Sequence, residues 1–172
     1  LGIFRDADGK FDDRFVGVTP GMRLEGYFAS YRYFQDIQGV IRDEIRSLRN
    51  PTEAFLETRE ELQRRHHYVA VHVRLGDFLD PGARELHKVT TEFYFRRALE
   101  LVARLTPFES VVVFSDTPSE ARQLLPCEIP VSGFARLGGL TDLEEMQLMA
   151  LAPALVMSNS TFSWWAAFLG DH

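Results

Sequence analysis

Ala154-Leu155-Val156-Met157-Ser158-Asn159-Ser160-Thr161-Phe162-Ser163-Trp164-Trp165 is the stretch that decides the fold. The four apolar residues 154–157 read as a buried strand. They run directly into a small, hydroxyl-rich turn. The turn opens an aromatic helix that carries both tryptophans of the chain. Such an arrangement binds anions: free backbone N–H groups and the positive end of the helix dipole point at whatever sits above the strand end. A second strand, Tyr68–Val73, is a continuous apolar run that delivers Arg74, Leu75, Gly76 and Asp77 at its exit. The two exits together imply a nucleoside-diphosphate pocket.

Working outward, the segments between and around these strands alternate. Residues 91–105 read as a helix with Phe95, Leu99 and Val102 on one side. Residues 110–114 read as a strand that ends in Ser115 and Asp116. A short helix over 118–125 and a brief strand over 129–131 follow. Thr141 and Glu144 have capping-box spacing and open a helix that runs to Leu151. Strands and helices of these lengths, in alternation, predict a parallel α/β sheet. Ligands of such sheets sit beyond the C-terminal strand ends. Three exits there are polar: His72/Arg74/Asp77, Ser115/Asp116, and residues 158–161. Upstream, apolar residues recur every three or four positions over 26–48, predicting an amphipathic helix or helix pair. Thr52 starts another helix, ending near the basic run at 64–67. Residues 1–22 form a polar leader in which only 15–18 reads as a strand. The expected division is a leader and helical segment, 1–67, followed by a nucleotide-binding domain, 68–172.

The 172 residues suffice for a domain with its own core. Net charge is −6, which excludes the basic face of a nucleic-acid binder. A lone cysteine, Cys127, makes no internal disulfide and no cysteine metal cluster. Its neighbours offer no base, so a buried inert thiol is expected. No apolar run reaches the ~20 residues of a membrane span. The chain begins at Leu1, not Met, so a fragment is expected.

Each candidate residue has a bland alternative. Arg74 offers a planar fork to phosphate oxygens, or pairs with Asp77 or another neighbour at the surface. His72, two residues earlier, shares its face of the strand. It bonds a ribose or phosphate, or it is a satisfied core histidine. Asp77 is a base or an orienting partner of Arg74. The capping box occupies Glu144 and leaves Glu145 freer to accept hydrogen bonds from a base edge; alternatively Glu145 only complements its helix dipole. Asp6 and Asp8 lack a preceding strand and calcium-loop spacing, and no His/Cys cluster has zinc spacing. No metal site is therefore expected. Neither P-loop, dinucleotide-binding nor nucleophile-elbow motifs occur.

These elements, in this order, resemble the α-1,2-fucosyltransferases, glycosyltransferase family 11. The family's H-x-R-R-G-D-Y strand exit reads His72, Val73, Arg74, Leu75, Gly76, Asp77, Phe78. Its F-S-D element is Phe114, Ser115, Asp116. Its D-x-x-L-M element is Glu145 through Met149. Its N-S-S/T-F-S-W-W motif is Asn159 through Trp165. The G-Y-x-Q-S-x-x-Y-F segment is similar to Gly26 through Phe34. The likeness runs over about residues 24–172.

The resemblance implies a GT-B architecture with a Rossmann-like domain. It implies inverting, metal-independent transfer of L-fucose from GDP-L-fucose, as donor substrate and not cofactor, to the 2-hydroxyl of a galactoside. Catalysis falls to Arg74 and Asp77, with Asp116 and His87 as further candidate bases. Donor binding falls to His72, Arg74, Ser115, Asp116, Glu145, Asn159, Ser160, Thr161 and Phe162. Departures are Leu75 for the second arginine, Phe78 for tyrosine and Glu145 for aspartate. They keep two alternatives in play: a degenerate, non-catalytic sugar-nucleotide-binding module, or a fucosyltransferase of another linkage. The expected setting is the bacterial cytoplasm, or the Golgi membrane in a eukaryote, where the full-length chain would be membrane-associated.

Overall fold

The computed structural model describes residues 2–6, 10–47, 50–76, 90–134 and 139–170. The chain divides into two compact units, Leu1–Glu44 and Ile45–His172. The division falls inside helix α1 (Gln38–Arg46).

The first unit holds two short parallel strands, β1 (Ile3–Arg5) and β2 (Arg23–Glu25), with Ile3 opposite Arg23. The expected strand at 15–18 is replaced by a 3-10 turn, Asp13–Gly17. The Asp12 side chain accepts the Arg14 N–H at 2.9 Å, a local bond that starts a turn and competes with extended structure. Phe15 then packs edge-on against Phe4 and Tyr33. The helix expected over 26–48 is also interrupted. Phe28 has φ 48°, and 3-10 turns at Tyr31–Tyr33 and Gln35–Ile37 precede α1. The Phe28 ring joins the same aromatic cluster, at 5.1 Å from Tyr33. Asp6 is occupied structurally: it accepts the Tyr33 hydroxyl at 2.8 Å and the Phe28 N–H at 2.9 Å.

The second unit is an α/β structure around a four-stranded, wholly parallel sheet. Its elements run α2 (Glu53–Arg64), β3 (Tyr68–Val73), α3 (Glu92–Leu105), β4 (Ser110–Ser115), α4 (Pro118–Gln123), β5 (Val131–Phe134), α5 (Asp142–Ala150), β6 (Leu155–Val156) and α6 (Thr161–Leu169). Strand order is β5-β4-β3-β6. Tyr68 to Val73 pairs with Ser110 to Ser115, and Ala70 and Val71 pair with Leu155 and Val156 on the other edge.

All six residues of β3 are buried, because helices cover both faces of the sheet. Val69, Val71, Val73 and Leu75 join Phe95 and Leu99 of α3 and Ala121 of α4. Tyr68 and Ala70 join Phe55 and Leu62 of α2, Leu148 and Met149 of α5, and Ala166 of α6. By the same alternation His72 and Arg74 fall on the α5/α6 side. Burial also pushes the Tyr68 phenol up to about 12. Cys127, expected to be buried, is exposed. It lies in the turn closed by the Ile129 N–H to Pro126 carbonyl bond, off both core faces.

The expected capping box is present at Thr141 and Glu144. Glu144 does more than cap its own helix. One carboxylate oxygen accepts the Thr141 N–H at 2.7 Å, and the other accepts the Thr52 N–H at 2.7 Å, at the start of α2. Burial works to raise the Glu144 carboxyl's pKa, but the bonds from Thr141 and Thr52 outweigh it and hold it low. Glu144→Ala strands two backbone donors at once. A loss of about 2–6 kcal/mol is expected, about 1–3 for each donor. Urea unfolding checks it; an unshifted midpoint would show that solvent replaces both bonds.

Candidate functional site

Beyond the C-terminal ends of β3, β4 and β6 lies a cavity of ≈ 490 Å³. This size suits a small-molecule ligand. The chain passes β3, β4 and β5 in one direction across the sheet. Helix α5 then returns it to the far side of β3, so the cavity sits where strand order reverses. His72, Arg74, Ser115, Asp116, Glu145, Asn159, Ser160, Thr161 and Phe162 all line it. The residues singled out in the sequence thus converge from β3, β4, α5 and the turn into α6. Asp77 and His87 lie outside the described residues.

At the β3 exit, Asp116 governs the geometry. Its Oδ1 accepts the Leu75 N–H at 3.2 Å, and its Oδ2 stands 3.0 Å from Arg74 Nη1. A Cβ at Gly76 would stand 2.2 Å from Oδ2, so a larger residue there would push the carboxylate off the Leu75 N–H and Arg74. Among the described residues, Asp116 is thus an ion-pair partner of Arg74. Ser115 is buried, and its hydroxyl accepts the Thr117 N–H at 3.1 Å.

At the β6 exit, the hydroxyl turn is held from several directions. The Ser160 N–H donates to the Ser158 carbonyl at 2.9 Å, and Ser160 Oγ caps α6 by accepting the Phe162 N–H at 3.2 Å. Ser163, fully buried within the aromatic helix, donates to the Ser160 carbonyl at 3.1 Å. The Tyr94 hydroxyl of α3 donates to the Met157 carbonyl at 2.6 Å. His72 Nδ1 lies 2.8 Å from Ser158 Oγ, and its ring sits 5.7 Å from that of Phe162. His72 is only 5% exposed. That burial pushes it down to about 4; Asp116 pulls it up and Arg74 pushes it down further. The imidazole is neutral at pH 7.

Helix α5 supplies Glu145, half-buried, and an exposed residue not singled out in the sequence, Asp142. The signal for Asp142 was its spacing: three residues before Glu145, on the same helix face. Among the described lining residues, one guanidinium thus faces three carboxylates and a neutral imidazole. The donors available to an anion here are directed ones, the Arg74 fork and the α6 N-terminus, rather than net charge.

A parallel α/β unit with an arginine and a helix N-terminus at its strand-order reversal has the donors for an anionic ligand beyond its strand ends. The chain belongs to glycosyl transferase family 11, which it matches over residues 9–172. It is similar to an alpha-1,2-colitosyltransferase of Escherichia coli, 27% identical over 153 residues that cover 86% of this chain and 51% of the relative. It is also similar to the O-antigen biosynthesis glycosyltransferase WbnK of Escherichia coli, 24% identical over 161 residues, with coverage of 86% and 52%. The chain spans about half the length of these curated relatives. No solved structure gives a significant match.

The low His72 pKa has a stability consequence. On unfolding the imidazole regains its ordinary pKa of 6.5 from about 4 and takes up a proton between those values. The unfolded state binds more protons there, so stability falls as pH drops through that window. The wild type is expected to lose about 3 kcal/mol more than His72→Asn between pH 7 and pH 4. Urea titrations at stepped pH check this; parallel pH slopes in the two proteins would exclude the buried imidazole as the source.

Proposed function

We propose that the cavity binds the GDP moiety of a sugar nucleotide, and that the enzyme transfers L-fucose to the 2-hydroxyl of a galactoside with inversion and without a metal. The second unit is then the Rossmann-like donor domain of a GT-B glycosyltransferase. One observation carries the reading: Arg74, the hydroxyl turn and the carboxylate of Glu145 share one cavity at a strand-order reversal. The α-1,2 linkage in the name of the colitosyltransferase relative supports the linkage.

In this reading Arg74 and the α6 N-terminus neutralise the leaving diphosphate. Such donors act in proportion to the charge that develops on the leaving group. Asp116 holds Arg74 and the Leu75 N–H, so its carboxylate serves better as an orienting group than as the base for the acceptor hydroxyl. Asp77 and His87 are then the candidate bases. The second reading is a sugar-nucleotide-binding module without transfer. It draws on Leu75, which is buried in the core where the family's motif has a second arginine. A donor-hydrolysis assay with GDP-L-fucose separates the two, and an acceptor panel fixes the linkage.

Glu145 is assigned to the guanine edge. The adjacent N1–H and N2–H donors of guanine match one carboxylate, whereas adenine lacks that pair. Loss of this contact in a desolvated pocket costs about 1–3 kcal/mol. Calorimetric titration should therefore show GDP binding well ahead of ADP in the wild type, with the gap narrowed in Glu145→Gln. Unchanged GDP affinity in Glu145→Gln would leave its carboxylate a purely structural role. In transfer assays, Arg74→Lys keeps the charge but loses the fork, and should lose about 2 kcal/mol or more of transition-state stabilisation. Transfer should survive exhaustive EDTA treatment. Near-normal turnover by Arg74→Lys, or loss with EDTA and rescue by Mn²⁺, would overturn the corresponding part of the mechanism.

A further inference from the structure

We propose that His72 is a positioning residue: through Nδ1 and the Ser158 hydroxyl it fixes the turn that aims the α6 N-terminus into the cavity. Its bond to Ser158 ties the middle of the sheet to the start of that turn, 2.8 Å across a buried contact. The pairing of β6 with β3 reaches only Ala70–Leu155 and Val71–Val156. Beyond Val156 the ladder stops, yet the chain must deliver Ser158, Asn159 and Ser160 at a defined place. The His72–Ser158 bond takes over one residue past the last paired position of β3. From Ser158 the constraint passes inward, because its carbonyl accepts the Ser160 N–H at 2.9 Å and faces Ser163 Oγ at 3.4 Å. Ser160 in turn caps α6 through the Phe162 N–H. Phe162 closes the loop by packing its ring against His72.

The chemistry suits a fixed strut. A hydrogen bond between two buried neutral groups does not vary over the working pH range, and the low pKa of the imidazole keeps it neutral there. A salt bridge in the same place would put two charges into a buried contact at a large desolvation cost. A lysine or arginine would also need a water-filled space that a residue only 5% exposed does not have.

The two ring nitrogens give a direct test. The amide of asparagine reaches about where Nδ1 lies; that of glutamine reaches toward Nε2. Amide hydrogen exchange is measured on ligand-free wild type, His72→Asn, His72→Gln, Ser158→Ala and the His72→Gln/Ser158→Ala double variant. Protection of the Phe162 and Trp164 N–H groups, which bond Ser160 Oγ and the Ser160 carbonyl, is the readout. Loss of one such buried bond should speed their exchange about tenfold in His72→Gln and in Ser158→Ala, with His72→Asn keeping most of the protection. The double variant should exchange no faster than the single ones, since both remove the same bond. If a His72 variant fails to fold, Ser158→Ala carries the comparison alone. Full protection in Ser158→Ala, or glutamine restoring what asparagine does not, overturns the proposal, the second result by showing that His72 works through Nε2. Titration of GDP into the same set should follow the same order. That last arm rests on the nucleotide reading: a wild type that binds no GDP would sink that reading, while the exchange order would still decide the role of His72.

Discussion

Strand β3 is hydrogen-bonded on both sides, to β4 along six residues and to β6 along two, and the candidate site follows from that pairing. A strand paired on both sides and covered on both faces has no freedom to slip. A one-residue slip would exchange its two faces. That would send His72 and Arg74 toward α3, and Val71 and Val73 toward the cavity. The apolar alternation of β3 between two separate cores forbids this exchange. The placement of the polar residues at its exit is therefore fixed by packing of residues that never touch a ligand.

Given that frame, the electrostatics of the cavity look paradoxical for an anion site. Asp116 neutralises the arginine it orients, and Asp142 and Glu145 add two further negative charges. Bulk attraction is thus absent from the described lining. What remains is direction: a guanidinium held by its neighbour, and a capped helix N-terminus worth about half a positive charge. Such a site discriminates by geometry. In the proposed reading, the ligand places its anionic portion at the helix start and a hydrogen-bond donor toward α5 at the same time. Small inorganic anions satisfy only the first condition.

Much of this was legible in the sequence because its signals are local. The apolar run of β3, the capping box and the hydroxyl turn each occupy fewer than a dozen consecutive residues, and the nine donor-site residues, drawn from strand exits and from the family resemblance, meet in the cavity. What was not legible depended on contacts that sequence spacing does not encode. Strands β1 and β2 have three residues each, too few for an alternation to register. The 3-10 turn at Asp13–Gly17 turns on one side-chain bond from Asp12. Exposure of Cys127 follows from where a turn leaves the sheet. The partner of Glu144 at Thr52 is 92 residues away, and the Arg74–Asp116 ion pair is set by the neighbouring strand. Asp142 was hidden for a different reason: an acidic residue in a first helical turn already has a sufficient local explanation in the dipole.

Adjacent carboxylates on α5 show how closely stability and site are joined here. Glu144 and Glu145 are separated by about 100° around the helix axis. Glu144 points into the protein, where it is 2% exposed and accepts N–H groups from the starts of two helices. The bond from Thr52, on another helix, fixes the rotation of α5 about its own axis. Rotation of a helix is a rigid-body property, so the direction of Glu145 and Asp142 is fixed with it. A helix held only by its apolar face, through Leu148 and Met149, could roll by a few tens of degrees at little packing cost. A buried carboxylate bonded to the Thr52 N–H of α2 cannot roll without stranding that donor, at about 1–3 kcal/mol. The staple thus converts a broad packing minimum into a narrow angular one, and the cavity-facing carboxylates gain a defined direction from a residue that faces away from the cavity.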